Sequence, residues 1–482
     1  MNRRMVVYVV SIIMRVEAVV MVPPLIIAFV QKEYSAAYGF IWAIIALVGV
    51  SLLAYLVKPK KITIYAREGF MIVAMAWIVV SLFGALPFCI SGSIPSYLDS
   101  LFETVSGFTT TGASILSNVE AMPMSLLWWR SFTHWLGGMG VLVFLLAIIP
   151  LTKNTGHSMN LLRAESPGPQ VDKMTPRLHD SAKMLYAIYI GMTGILIIFL
   201  LAGGMPLFDS VTTAFGTAGT GGFAILNDSM ASYSPYLQTV VGIFMLLFGV
   251  NFNIYYFLLL REFKKVLKNQ ELWLYIGIMA VSVVTITINI LPYFDYLFGE
   301  SLHQAFFQVS SIMTTTGFAT ANFDLWPQYS RTILVILMFL GACAGSTGGG
   351  IKIARVLLLG KTFVRDIKRL IRPRSVSLVH MNGNVVDDDT IRATQSFLAA
   401  YIFVGLISVI IIALDNFSLE TTATSVVACM NNIGPGLDLV GPVGNYSMFS
   451  GLSKLVLSAD MLIGRLEIFP MLMLFAPSMW RR

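Results

Sequence analysis

Four short phrases carry the polar chemistry of this sequence. Residues 106–114 read SGFTTTGAS, 216–224 read GTAGTGGFA, 311–320 read SIMTTTGFAT and 429–437 read CMNNIGPGL. Their chemistry is that of oxygen: hydroxyls of Ser and Thr, and backbone carbonyls. Glycine reaches torsions that Thr does not, which lets carbonyls be aimed inward. Ser and Thr hold such a loop by local hydrogen bonds. Carbonyl oxygens gathered around a lumen replace the water shell of a monovalent cation. The candidate site is therefore Thr110, Thr111 and Gly112; Thr220, Gly221 and Gly222; Thr315, Thr316 and Gly317; and Asn432, Ile433 and Gly434. Asn431 and Asn432 stand where the first and third phrases have threonines, so the fourth phrase is chemically different.

The elements that must position these phrases are hydrophobic. Of 482 residues, 56% are hydrophobic and 12% charged, against about 25% charged in soluble proteins. Mean hydropathy is +0.78. The chain reads as an all-α polytopic membrane protein embedded in a lipid bilayer. Apolar runs near 5–30, 36–57, 68–90, 125–150, 183–203, 235–260, 272–294, 331–362, 394–414 and 449–476 predict crossings. The first run holds Arg15 and Glu17 and lacks a small-residue cleavage site, which predicts retention rather than removal as a signal peptide.

Charge sets the orientation. The segments 91–124, 204–234, 295–330 and 415–448 contain no Lys or Arg, whereas the opposite loops carry Lys58, Lys60, Lys61, Lys153, Arg163, Lys173, Arg177, Arg261, Lys264, Lys265, Lys268 and a long run from Lys352 to Arg392. The positive-inside asymmetry predicts basic loops and both termini in the cytoplasm. It also accounts for the net charge of +7 without nucleic acid. The outer side is acidic, with Asp99, Glu103, Glu120, Asp209, Asp228, Asp324, Glu420 and Asp438 among its residues. Those acids either concentrate cations or are merely tolerated there.

The four phrases recur at intervals of roughly a hundred residues, always on the lysine-free side, which predicts four fused repeats with pseudo-fourfold symmetry. The runs before the glycines, 98–107, 207–217, 301–313 and 418–430, are too short to span. They read as re-entrant half-helices whose negative dipole ends face a shared cavity. Irregular backbone at that depth must be buried in protein or line water. The competing reading is close helix packing through small residues. The expected units are an amino-terminal hairpin, 1–62, and repeats at 63–152, 153–265, 266–375 and 376–482.

Two further features stand in the apolar runs. Gly345, Ser346, Thr347, Gly348, Gly349 and Gly350 should break a crossing below the third phrase, either as a movable obstruction or as a packing face. GSTGGGIK lacks the Gly-Lys-Ser/Thr ending of a phosphate loop. Arg465 lies inside the last crossing, either as a cation in the ion's path or in a structural ion pair. Cys89, Cys343 and Cys429 are far apart, and the five histidines, His134, His157, His179, His303 and His380, have no ligand spacing. With no nucleophile–base pair or metal cluster, an enzyme is not expected.

Together, SGFTTTGAS, TTTGFAT, NNIGPG, GSTGGGIK and GRLEIF resemble the TrkH/TrkG/KtrB superfamily of potassium transporters, with the extra hairpin and length of the TrkH branch. The resemblance implies four helix–pore-helix–helix units and filter glycines at Gly112, Gly222, Gly317 and Gly434. It implies a gating loop around Gly345–Gly350 and a pore arginine at Arg465. It further implies potassium as substrate with no bound cofactor, a homodimer in the bacterial cytoplasmic membrane, and a cytosolic ring of nucleotide-binding TrkA-like subunits. A sodium- or proton-coupled symporter is the alternative, with Asp460 the nearest candidate carboxylate.

Overall fold

The structure, a computed structural model, describes residues 3–57, 59, 66–138, 140, 178–374 and 377–480. Lys58, Lys60, Lys61, Lys153, Arg163, Lys173, Arg177, the end of the expected crossing 125–150 and the expected unit boundaries at 62/63 and 152/153 lie outside the described residues. Apart from a two-residue antiparallel ladder, His380–Met381 with Asn384–Val385, the described secondary structure is helical.

Helices α1 (Arg3–Val20) and α2 (Val22–Val30) run on as one apolar span, and α3 (Tyr34–Tyr55) returns beside them. A four-part pattern then recurs. A span leads to a half-helix, a glycine turn, and a second helix that starts again from the same side. In the first occurrence these are α4 (Ala66–Gly84) with α5 (Leu86–Ile90), then α6 (Tyr97–Phe108) and α7 (Met124–Gly138). In the second they are α8 (Leu178–Ala202), α9 (Leu207–Gly219), and α10 (Pro235–Phe248) with α11 (Phe252–Leu259). The third uses α12 (Gln270–Ile290), α13 (Phe298–Met313), and α14 (Gln328–Leu340) with α15 (Ile353–Ile371). The fourth uses α16 (Asp388–Ile412), α17 (Leu419–Met430), and α18 (Gly451–Arg465) with α19 (Phe469–Leu474).

The half-helices α6, α9, α13 and α17 have 12, 13, 16 and 12 residues. At 1.5 Å per residue they reach ~18–24 Å, short of a ~30 Å hydrocarbon core. Ser96 and Ser418 cap α6 and α17, accepting from the backbone N–H groups of Asp99 and Thr421.

Two of the second helices depart from the expected continuous crossings, and a third is interrupted at the glycine cluster where a break was expected. The run 235–260 bends by 89° between α10 and α11. Gly249 ends α10, and the Asn251 side chain accepts from the Asn253 N–H at 2.9 Å to start α11. The run 331–362 is interrupted from Gly341 to Lys352, both at positive φ. The run 449–476 breaks at Glu467 and Ile468, with φ of 55° and 71°, before Pro470 opens α19. Among the described residues, six helices are therefore long and apolar enough to cross a membrane, or seven if the bent pair is one span.

The amino-terminal hairpin is tied to the first unit by one carboxylate. Glu33 accepts from the N–H groups of Met124 and Ser125 at 2.7 and 3.0 Å, and from the Ser125 hydroxyl at 2.5 Å. It supplies the anion and acceptor that the start of α7 lacks. Glu33→Ala is expected to remove about 1–2 kcal/mol of stability. A lowered thermal unfolding midpoint in detergent, restored in part by Glu33→Gln, is the readout; an unchanged midpoint contradicts the cap.

Candidate functional site

The four glycine phrases meet in a closed ring, and the glycines themselves record its closure. A Cβ added to Gly112 would overlap the carbonyl oxygen of Gly221, one on Gly222 that of Thr316, and one on Gly317 that of Ile433. One on Gly434 would lie 2.7 Å from the carbonyl oxygen of Thr111, which returns to the first phrase. Each glycine thus abuts the carbonyl just before the glycine of the next phrase, in chain order, around a full circuit.

The local geometry is the same four times. Thr110, Thr220, Thr315 and Asn432 have φ of 55°, 53°, 59° and 56°, and the glycines two residues later have φ of 79°, 75°, 89° and 95°. The residue between them has ordinary φ, so the sign alternates. Alternation turns successive peptide planes the same way, whereas a strand alternates its carbonyls between two sides. A β-branched residue at positive φ costs about 1–3 kcal/mol and persists only where its surroundings hold it. Here each half-helix holds its own turn. The N–H groups of Thr111, Gly221, Thr316 and Ile433 donate to the carbonyls of Ser106, Gly216, Ser311 and Ala428 at 2.9, 2.8, 2.8 and 2.9 Å. Among the described residues, the carbonyls of 110–111, 220–221, 315–316 and 432–433 accept no hydrogen bond.

The side chains behind the ring differ from phrase to phrase. In the first and third, hydroxyl pairs brace the turn: Thr109 with Thr111, and Thr314 with Thr316, both at 2.8 Å. In the second, the buried His134 ring occupies that space, and a Cβ on Gly221 would run into it. His134 Nε2 accepts from the Phe223 N–H at 3.1 Å, so Nδ1 carries the proton and donates to the Gly107 carbonyl at 2.8 Å. The departure from threonine in AGTGG is thus matched by a filler from α7. In the fourth, Asn431 accepts from the Tyr401 hydroxyl at 2.9 Å, and Asn432 Nδ2 donates to Thr111 Oγ1 and the Met461 carbonyl, both at 2.9 Å.

Below the ring, the segment Gly345–Gly350 touches several units at once. The Gly349 N–H donates to Thr315 Oγ1 at 2.6 Å, and a Cβ on Gly349 would overlap the Asn431 carbonyl. The Phe252 N–H donates to Gly345 at 3.1 Å, and the Cys343 N–H to Gly249 at 3.0 Å. Ser346 Oγ donates to the Cys343 carbonyl at 2.7 Å, and Thr347 Oγ1 to the Phe248 carbonyl at 3.3 Å. Gly348 lies against the Thr314 carbonyl, and Gly350 against Gly341. Arg465 donates to the Thr347 carbonyl at 2.8 Å and to the Gly137 carbonyl, on α7, at 2.5 Å. Its guanidinium joins this segment to the first unit.

Charged residues hold the surroundings, among them Glu271, Arg130, Arg331 and Lys454, to which the sequence alone assigned no role. Glu271 accepts from the Ala344 N–H at 2.6 Å and the Ala354 N–H at 3.1 Å, pinning both ends of the break. Arg355 pairs with Glu467. Glu103 pairs with Arg130 at 2.6 Å and accepts from Ser114 Oγ and the Ile115 N–H, both at 2.9 Å. Arg130 also donates to the Ala224 carbonyl at 2.8 Å and lies 3.5 Å from the Phe223 ring centroid. Asp99 pairs with Lys454 at 2.6 Å, and Asp324 with Arg331 at 2.9 Å. Several of the acids expected on the outer side are thus engaged in ion pairs rather than free to attract cations. The available signal was charge inside an apolar run, as at Arg130, or at its edge, as at Glu271; the partners could not be read.

The Glu103–Arg130 pair is buried, with side-chain exposures of 0% and 3%. Arg130→Met strands a buried carboxylate and is expected to cost about 3–5 kcal/mol. The Glu103→Gln/Arg130→Met double variant is expected to recover much of that loss. Denaturation of the two variants in detergent separates a coupled pair from two independent contacts, for which the losses would add.

A family model described as TrkH, cation transport protein, matches residues 34–482. The Trk system potassium uptake protein TrkH of Salmonella typhimurium strain LT2 is 37% identical over 471 residues, 96% of each chain. TrkG of Escherichia coli K12, named in the same way, is 33% identical over 467 residues, 96% of this chain and 95% of the relative. The crystal structure of the potassium transporter TrkH from Vibrio parahaemolyticus superposes with a TM-score of 0.87 at 30% identity, covering all of both chains.

Proposed function

The chain belongs to the TrkH family of cation transport proteins, and from that premise we propose that it carries potassium into the cell through the glycine ring. The observation that supports this reading most directly is the circuit in which Gly112, Gly222, Gly317 and Gly434 each abut a carbonyl of the next phrase. The carbonyls of Thr110, Thr111, Thr220, Gly221, Thr315, Thr316, Asn432 and Ile433 act as the ligands that replace the ion's water. One short ring, rather than a long file of sites, sets a looser selectivity than a multi-site filter. An inside-negative potential favours entry by ~2.3 kcal/mol per charge per 100 mV, so inward flow needs no chemical step in this chain.

Gly345–Gly350 acts as the gate. It lies against Thr315 and Asn431, and Arg465 tethers it through Thr347. Arg465 also places a cation beside the path, which opposes potassium electrostatically. The basic loops face the cytoplasm of a bacterial inner membrane, where a TrkA-like nucleotide-binding ring docks and moves the gate, and the transporter works as a homodimer. The four pore repeats are the units numbered 63–152, 153–265, 266–375 and 376–482.

A second reading, proton-coupled symport, rests on Asp460. It is buried, accepts from Ser408 Oγ at 2.7 Å, and its other oxygen has no hydrogen-bond partner among the described residues. Asp460→Asn separates the two. Under the conduit reading, which we favour, the pH dependence of uptake is unchanged; under symport it disappears.

Gly317→Ser is expected to widen or distort the ring and relax potassium-over-sodium selectivity by roughly tenfold, an effect of ~1.4 kcal/mol. Flux of potassium, rubidium and sodium into liposomes measures this, and an unchanged ratio rules out the assignment. Arg465→Ala is expected to raise potassium flux. A unit charge beside the path, in surroundings of effective dielectric ~20, contributes a barrier on the order of a few kcal/mol. Arg465→Lys keeps the charge and loses the two-pronged tether, so its flux falls between the parent and Arg465→Ala.

A further inference from the structure

We infer that a cleft on the basic side of the fold, between α15, the first turn of α12 and the strand segment after 377, binds an anionic phospholipid. The inference is independent of the ion path. The cleft has a volume of about 630 Å³. Its lining combines apolar side chains, Leu274, Val356 and Val364, with the cations Lys361, Arg365 and Lys368. Leu274 lies one turn inside the 25-residue apolar span Gln270–Phe294, so the cleft sits at the edge of a membrane crossing.

The three cations recur at helical spacing on one face of α15, as successive turns require. Each retains binding capacity. The Lys361 ammonium donates to the His380 carbonyl at 2.7 Å and to the Gln270 side chain, drawing the three walls together and leaving one of its three protons. Arg365 uses Nε for Asp366 at 2.9 Å and Nη1 for Asp388 at 3.3 Å; among the described residues its Nη2 makes no hydrogen bond. Lys368 makes none among the described residues. The opposing carboxylates of Asp366 and Asp388 are 48% and 68% exposed, so water screens them.

Beside the cations, α15 leaves Phe363, Ile367 and Leu370 exposed. Basic residues alternating with bare apolar ones is the pattern of a helix at a membrane interface. Basic pockets at the cytoplasmic ends of spans recognise acidic headgroups. A free phosphate would answer the charges and leave the apolar wall wet. A neutral lipid would cover the wall and leave the charges unanswered. A diacylglycerol carrying an anionic phosphate satisfies both.

The test is native mass spectrometry of the full-length, delipidated protein in detergent, titrated separately with phosphatidylglycerol, phosphatidylcholine and glycerol phosphate. Selective retention of phosphatidylglycerol is expected, weakened roughly tenfold or more in Lys361→Gln/Arg365→Gln/Lys368→Gln, since each cation near an anionic surface contributes ~1 kcal/mol. Equal retention of both lipids, or undiminished retention by the triple variant, overturns the proposal. So does glycerol phosphate binding as tightly as the lipid, which would make this a soluble-phosphate site. A triple variant that retains lipid but loses its dimer assigns the face to contact between copies, and also overturns it. Should the triple variant not fold, Lys368→Gln alone is expected to weaken retention roughly threefold to fivefold; no change there is equally decisive against it.

Discussion

The ring exists because four glycines have no side chain. At each of them the next phrase's carbonyl occupies the place where a Cβ would be, so the loops interlock instead of merely lying side by side. Interlocking requires Thr110, Thr220, Thr315 and Asn432 to take left-handed torsions that their side chains oppose. That strain is offset locally, by one bond from each turn back to its own half-helix, and laterally, by the neighbouring phrase. A carbonyl left without a hydrogen bond in a membrane interior is costly unless water or an ion meets it. On the proposed reading, the unpaired carbonyls of the ring need the lumen as much as the lumen needs them.

The broken second helices follow from the same constraint. A half-helix descends only partway, so a straight neighbour would leave nothing beneath the ring to pack against. In the three second helices whose lower halves are described, the break falls where the chain passes under the ring. Each break exposes helix-end groups, and polar side chains stand at each: Asn251 starts α11 after its bend, Glu271 holds one N–H inside the α14–α15 gap and one in the first turn of α15, and Glu467 at the α18–α19 break pairs with Arg355. Charges inside the membrane are expensive. These are placed where helix ends already present unpaired dipoles.

How much of this was legible depended on how narrowly the local geometry restricts residue type. A left-handed turn with no room for a Cβ admits glycine alone, so the ring positions and their four copies stood out. The gap after Leu340 was equally readable, because five glycines in ten residues cannot continue a helix in apolar surroundings. The bend after Phe248 was not, since Gly249 alone is common in membrane helices and the signal was two asparagines, Asn251 and Asn253, in an apolar run. The break at Glu467–Ile468 follows a sequence, RLEIF, of ordinary helix formers; only Pro470 hinted at it. Pairings such as Glu103 with Arg130, or His134 filling the space beside Gly221, join distant residues and leave no periodic trace.

The four copies share a backbone and differ in what stands behind it, and that difference has a mechanical consequence. Hydroxyl pairs brace the first and third turns from within their own phrases. The second is braced by a histidine from the first unit, and the fourth by Tyr401 from its own unit and by Asn432 reaching into the first. The segment Gly345–Gly350 meets the ring at the third and fourth phrases, through Thr315 and Asn431. Among the described residues, it is linked to the first unit through Arg465, which also donates to Gly137. A displacement of that segment would release the third phrase's hydroxyl and the fourth phrase's backbone directly, while the second phrase, locked by an imidazole with both nitrogens engaged, would hardly respond. On the proposed gating reading, opening below the ring therefore loosens one side of it first, and selectivity and gating share the contact between Gly349 and Thr315.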